Sequence, residues 1–184
     1  LDVWLWLAVL EDLTVPEQAR QALERRRAMF KSLKRIDALF VPGGDDGENP
    51  AQALMPWLKE LAGVLHETHP EAQLWVSNQT FTPEENAYFF DFLKKEESTP
   101  WLTGVVYGPW MCMPVEEMRK RTPDRYLLRS YPDITHTARC QFPVSHWDRR
   151  FAFTLGREPV CPRPEALTRD RKSTRLNSSH ITIS

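Results

Sequence analysis

The sequence predicts an α/β fold built on parallel strands, because short apolar segments recur at a spacing that leaves room for a helix between them. Four segments, rich in β-branched or aromatic residues, resemble strands that are covered on both faces: 3–9, 38–42, 74–77 and 104–107. Their starts lie 35, 36 and 30 residues apart, the size of a strand followed by a crossover helix. Residues 125–129 form a weaker fifth candidate.

Each interval between these segments carries a helical pattern. Residues 16–34 begin with a proline and continue with apolar residues at helical spacing. Residues 50–69 repeat this pattern, and 115–121 form a shorter candidate. Thr82 and Glu85 have the spacing of a capping box, which predicts a helix over 82–95.

Parallel strands joined by right-handed crossovers form either a doubly wound sheet or a barrel. No GxGxxG or Walker loop follows any predicted strand, so a nucleotide-binding doubly wound sheet lacks its usual motif. We therefore predict a partial (β/α)8 barrel of the TIM type, with about four to five β/α units. A complete barrel usually needs about 250 residues, so we expect the 184 residues to be a fragment of a larger barrel domain.

The pattern changes near residue 165. Residues 1–165 are predicted to form the partial catalytic barrel domain, and 166–184 a disordered tail. From Lys172 the tail is polar, has no core pattern, and resembles translated adapter read-through at the end of a metagenomic gene model. We therefore expect the tail to be non-native and to have no part in the function.

Composition argues against several classes of partner. A net charge of −1 gives no electrostatic basis for binding nucleic acid or an anionic membrane. No apolar run approaches the roughly 20 residues of a membrane span. Cys112, Cys140 and Cys161 are too widely spaced for a zinc motif. We therefore expect no metal, no cofactor, no nucleic acid and no membrane partner.

The loop after the second strand is the most distinctive in the chain. Ligands of parallel α/β folds bind at the carboxyl ends of the strands, and here Gly43 and Gly44 lead directly into Asp45 and Asp46. The glycines allow the backbone to approach a ligand closely. The two carboxylates could supply a general acid and an orienting or stabilising group. A solvated acidic turn is the alternative interpretation.

The third and fourth strands are followed by candidate binding groups. Asn78 and Gln79 carry amides suited to bonding vicinal hydroxyls, although satisfied loop amides are equally plausible. Tyr107 could hold a hydroxyl, and Trp110 could stack on a sugar ring.

After the fifth strand, Asp133 and His136 lie three residues apart. They could act as acid and base, contact hydroxyls, or bind a metal if a third ligand were present. A capped turn with a structural histidine is the alternative.

The strand-end segments together resemble the glycoside hydrolase-like barrel superfamily of bacterial carbohydrate-active proteins, which includes hexosaminidases and α-glucuronidases. The segments are DVWLW at 2–6, FVPGGD at 40–45, WVSNQ at 75–79, GVVYGP at 104–109 and YPDITH at 131–136.

The resemblance implies a carbohydrate substrate and hydrolysis of glycosidic bonds by strand-end carboxylates, with or without help from an acetamido group of the substrate. Asp45 would act as general acid or base, with Asp46 or Asp133 as its partner. The hexosaminidase pattern has an Asp-Glu pair directly at a strand end, whereas this chain has two aspartates after two glycines. Glu11 and Glu158 are further carboxylate candidates.

Two alternatives to a glycosidase stay open. The first is a carbohydrate-binding barrel that has lost catalysis. The second is a metal-dependent hydrolase that uses Asp45, Asp133 and His136.

Overall fold

The computed structural model describes residues 2–45, 47–95, 101–107 and 113–130, in which strands and helices alternate. The strands are β1 (Trp4–Trp6), β2 (Ala38–Val41), β3 (Gln73–Val76), β4 (Gly104–Tyr107) and β5 (Leu127–Ser130). The helices are α1 (Pro16–Ser32), α2 (Ala51–His66), α3 (Pro83–Lys95) and α4 (Val115–Arg121). The predicted α/β class is therefore confirmed.

The five strands form one sheet in sequential order, β1-β2-β3-β4-β5, and every neighbouring pair is parallel. A doubly wound sheet reverses its strand order at one point. Among the described strands no such reversal occurs, so each crossover carries the chain one strand further in the same direction.

All four helices pack on the same face of this sheet. Buried residues of each helix, such as Phe30, Leu58, Phe89 and Met118, belong to one large core. That core also contains alternate residues of the strands: Leu39, Val41, Leu74, Val76, Val105 and Leu128. The opposite face carries a second, smaller cluster of Ala38, Phe40, Trp75 and Val106, with Trp4 packed against it.

The sheet curls strongly towards this second face, which we call the concave face. The guanidinium carbon of Arg129 in β5 lies 4.0 Å from the centre of the Trp4 ring in β1. Four strand spacings separate these strands, and in a flat sheet they would amount to about 19 Å. The two outer strands can meet only because the sheet curves.

A local sequence signal accounts for the start of α3. In the capping box, Glu85 Oε2 accepts a bond of 2.7 Å from the Thr82 backbone N–H, and the Glu85 N–H donates to Thr82 Oγ1. The first strand is shorter than the predicted 3–9, ending at Trp6. Its continuation instead bends towards Asn49, whose Nδ2 donates to the Val9 carbonyl at 2.9 Å.

No helix in the described ranges is long and apolar enough to cross a membrane.

Candidate functional site

The carboxyl ends of β2 and β3 bring Asp45 and Gln79 into direct contact. Gln79 Nε2 donates a hydrogen bond of 2.6 Å to Asp45 Oδ2, and both residues are partly buried. An amide side chain is a poor proton donor or acceptor, whereas a carboxyl group can serve as either. Asp45 is therefore the member of the pair that could act as acid or base, and Gln79 is placed to orient it.

The loops that carry these two residues also pack backbone to backbone. The Gly44 N–H donates to the Gln79 carbonyl at 3.1 Å. Gly43 has a φ of +69°, and a methyl group there would lie 2.6 Å from the Ser77 carbonyl oxygen. Glycine at position 43 thus allows the β2 loop to pack closely against the backbone of the β3 loop.

A buried asparagine ties the β1 loop to the β2 loop. Asn49 Oδ1 accepts a bond of 2.8 Å from the Leu13 N–H, and its Nδ2 donates to the carbonyls of Val9 and Glu11 at 2.9 Å each. The loops after β1, β2 and β3 are therefore fixed to one another. Such fixing holds a catalytic group in one geometry before a ligand arrives.

Glu11, a further carboxylate candidate from the sequence, is engaged in ion pairs. It accepts hydrogen bonds from both terminal nitrogens of Arg26 and one of 2.8 Å from Arg25. Burial opposes ionisation of Glu11, but the arginine hydrogen bonds outweigh it and lower the pKa to about 2. Glu11 is thus held ionised, which suits a structural anchor for helix α1 better than a general acid.

The ion pair of Glu11 predicts a specific loss of stability in acid. Because the folded-state pKa lies below the ordinary value of 4.5, the stabilisation is present above about pH 4.5 and disappears as the pH falls towards 2. It amounts to at most about 3 kcal/mol. In urea denaturation, the stability gap between wild type and Glu11→Gln should be widest at pH 7 and should narrow towards pH 3. Glu17→Gln removes an exposed ion pair with Arg20, which also lowers the pKa of Glu17 but is screened by solvent, so its gap should be much smaller. A gap for Glu11→Gln that does not change with pH would contradict the assignment.

Asn78 and Tyr107, two of the predicted substrate contacts, bond to groups near the helices. Asn78 is buried, and its Nδ2 donates to Asn86 Oδ1 in α3. The ring of Tyr107 packs against the large core, and its hydroxyl donates to the Met113 carbonyl at 3.4 Å. Their contact with a substrate stays a prediction.

The remaining predicted site residues lie outside the described residues: Asp46, Trp110, Asp133, His136 and Glu158. The partner carboxylate of Asp45 and the predicted stacking ring are therefore not placed. Within the described ranges, no three His, Cys, Asp or Glu side chains lie together in a way that could hold a metal ion. A metal-dependent reaction would depend on Asp133 and His136.

Three residues that matter for this end of the sheet were not singled out from the sequence. Asn49 joins two loops, Asn86 contacts the β3 loop, and Arg129 reaches across the concave face. Only Arg129 left a signal, since it is a charged residue within a strand candidate.

Comparisons with protein-family models, with curated proteins and with solved structures found no match to this chain.

Proposed function

We propose that this chain is part of a (β/α)8 barrel that hydrolyses glycosidic bonds with carboxylates at the strand ends. Asp45 is the general acid or base in this proposal, oriented by Gln79. Asp46 or Asp133 supplies the second carboxylate.

The register of the sheet supports the barrel. Trp4 pairs with Ala38, which pairs with Gln73, and the same register extended past β4 leads to position 125, two residues before β5. Arg129, which contacts Trp4, lies four residues beyond that position. The register is therefore offset by one residue for each of the four steps between neighbouring strands. The same offset continued around eight strands adds up to eight residues. That value is the shear of this barrel type.

The side chains on the concave face fit the same arrangement. In (β/α)8 barrels the interior is filled by layers, each made of one residue from alternate strands. Trp4 of β1, Trp75 of β3 and Arg129 of β5 form such a set, and the Trp4 and Trp75 rings lie 5.6 Å apart. Burial lowers the pKa of Arg129, although the Asp2 carboxylate opposes this, so the guanidinium lies in a partly enclosed interior.

The contact between Asp45 and Gln79 carries the proposed activity. Glycoside hydrolysis needs a carboxyl group held beside the scissile oxygen, and the active sites of such barrels lie at the carboxyl ends of the strands. Asp45 occupies that end, in a loop bonded to both neighbouring loops.

A panel of 4-nitrophenyl glycosides tests the proposal, with release of nitrophenolate as the readout. The panel should include α- and β-linked glucose, galactose, N-acetylglucosamine and glucuronic acid. We expect hydrolysis of at least one of them by the barrel of which this chain is part. Glycan binding without release would instead favour the carbohydrate-binding barrel, and stoichiometric zinc or manganese in the purified chain would favour the metal-dependent hydrolase. If Asp45→Asn and Asp133→Asn both leave hydrolysis intact, the assignment of carboxylates is wrong.

A further inference from the structure

One side chain of helix α3 holds both ends of the loop that carries Gln79. Asn86 Nδ2 donates to the Phe81 carbonyl at 2.9 Å and to the Thr82 carbonyl at 3.0 Å. Its Oδ1 accepts from Asn78 Nδ2. Asn78 and Asn86 are only 1% and 3% exposed, so solvent does not compete for these bonds.

The two backbone carbonyls determine the orientation of both amides. A carbonyl oxygen only accepts, so the NH₂ group of Asn86 must face Phe81 and Thr82. The Oδ1 of Asn86 must then face Asn78, which in turn must present its own NH₂ group. The assignment of nitrogen and oxygen in the pair therefore follows from hydrogen-bond chemistry.

Stability alone does not account for this pair. With its NH₂ group turned to Asn86, Asn78 keeps a buried Oδ1 that has no hydrogen-bond partner among the residues that the structure describes. A buried acceptor without a partner is unfavourable, and an apolar contact between strand and helix would avoid it. What the pair does provide is a fixed position for the loop between Asn78 and Thr82.

The segment held in this way contains Gln79 and Thr80. Thr80 adopts a φ of +63°, which a threonine rarely does without support from its surroundings. The Gln79 carbonyl accepts from Gly44, and its side chain donates to Asp45. The position of the Gln79 amide thus depends on a loop that Asn86 fastens at Asn78 and at Phe81 and Thr82.

We propose that Asn86 is a positioning residue for the Asp45 carboxylate and acts through Gln79. It has no direct contact with Asp45 in this role. The consequence for turnover rests on the proposed function, whereas the link from Asn86 to the Gln79–Asp45 hydrogen bond does not.

The test is NMR of the full chain labelled with ¹⁵N-glutamine, with the Gln79 side-chain amide as the reporter. A bond to a carboxylate slows exchange of these protons with water. In Asn86→Leu we expect exchange to become about tenfold faster, as for the loss of one hydrogen bond, and turnover of the active glycoside to fall by about tenfold.

Thr122→Val is the matched control. Thr122 is also buried, and its hydroxyl donates to the Met118 carbonyl at 2.8 Å at the end of α4 that leads into β5. Both variants should lower Tm, and the control should do so by less, because Thr122→Val loses one buried hydrogen bond and Asn86→Leu loses three. The Gln79 signal and the turnover should stay at wild-type values in this control.

Asn86→Asp supplies a second variant in case Asn86→Leu does not fold. A carboxyl oxygen can accept from Asn78, but only the protonated acid can donate to Phe81 or Thr82. Burial favours the protonated form, so slow exchange of the Gln79 amide, after correction for intrinsic exchange, should return as the pH falls from 8 to 5.5.

The outcomes test the positioning role of Asn86 separately from the proposed glycosidase function. Wild-type exchange of the Gln79 amide in Asn86→Leu, or in Asn86→Asp at pH 8, overturns the positioning role whatever the activity. Faster exchange in a chain that hydrolyses no glycoside supports the positioning role and counts against the proposed function. Faster exchange together with reduced turnover supports both.

Discussion

Asp45→Asn should lower turnover of the active aryl glycoside by about 10²- to 10⁴-fold, the contribution usual for a general acid or base. The substitution keeps the size of the side chain and removes its ability to exchange a proton. The new amide oxygen can still accept the bond from Gln79 Nε2, which is 2.6 Å long in wild type. Tm should therefore change little, and the loss should appear in kcat.

Asp124→Asn is the matched control for this substitution. Asp124 is exposed and precedes β5, at the amino ends of the strands. The control should keep wild-type kcat. If Asp45→Asn keeps kcat within about threefold of wild type, Asp45 is not the catalytic acid or base.

Gly47→Ala should have the largest effect on stability. A methyl group at this position would lie 1.7 Å from the Val9 carbonyl oxygen and 3.0 Å from Asn49 Nδ2. Both neighbours belong to the contact between the β1 and β2 loops, and a backbone oxygen cannot rotate away as a flexible side chain can. We expect a loss of about 3 kcal/mol or more in the free energy of unfolding, measured by urea denaturation.

Gly63→Ala is the control, and it should raise the free energy of unfolding rather than lower it. Gly63 lies within α2, and a methyl group there would meet no described atom within 4 Å apart from the neighbouring backbone of its own helix. Alanine is a better helix former, so this variant should gain roughly 0.5 to 1 kcal/mol. Equal effects of the two substitutions would show that the loops do not pack as described.

The elements of the fold were largely readable from the sequence because their signals are local. Strand spacing and apolar stripes depend on residues close together in the chain, as does the capping box of Thr82 and Glu85. The end of β1 was not readable, since the chain leaves the sheet towards Asn49, 40 residues away from Val9. The order of the strands also depends on long-range pairing.

The site was readable only in part, for the same reason. The rule that ligands bind at strand ends selected Asp45 and Gln79 separately. Their hydrogen bond depends on β2 and β3 being neighbours in register, which no local pattern specifies. Asn49 and Asn86 could not be selected, because their partners are mostly backbone groups, which every residue carries.

The curvature of the sheet is the central claim, because only a curved sheet gathers the strand ends around one site. A double-mutant cycle of Trp4→Leu and Arg129→Met tests it most directly. The free energy of unfolding of the full chain and of each variant is measured by urea denaturation. The contact of 4.0 Å across the concave face predicts a coupling energy of about 0.5 to 2 kcal/mol. A coupling energy below about 0.3 kcal/mol would mean that β1 and β5 do not meet, and would contradict the barrel.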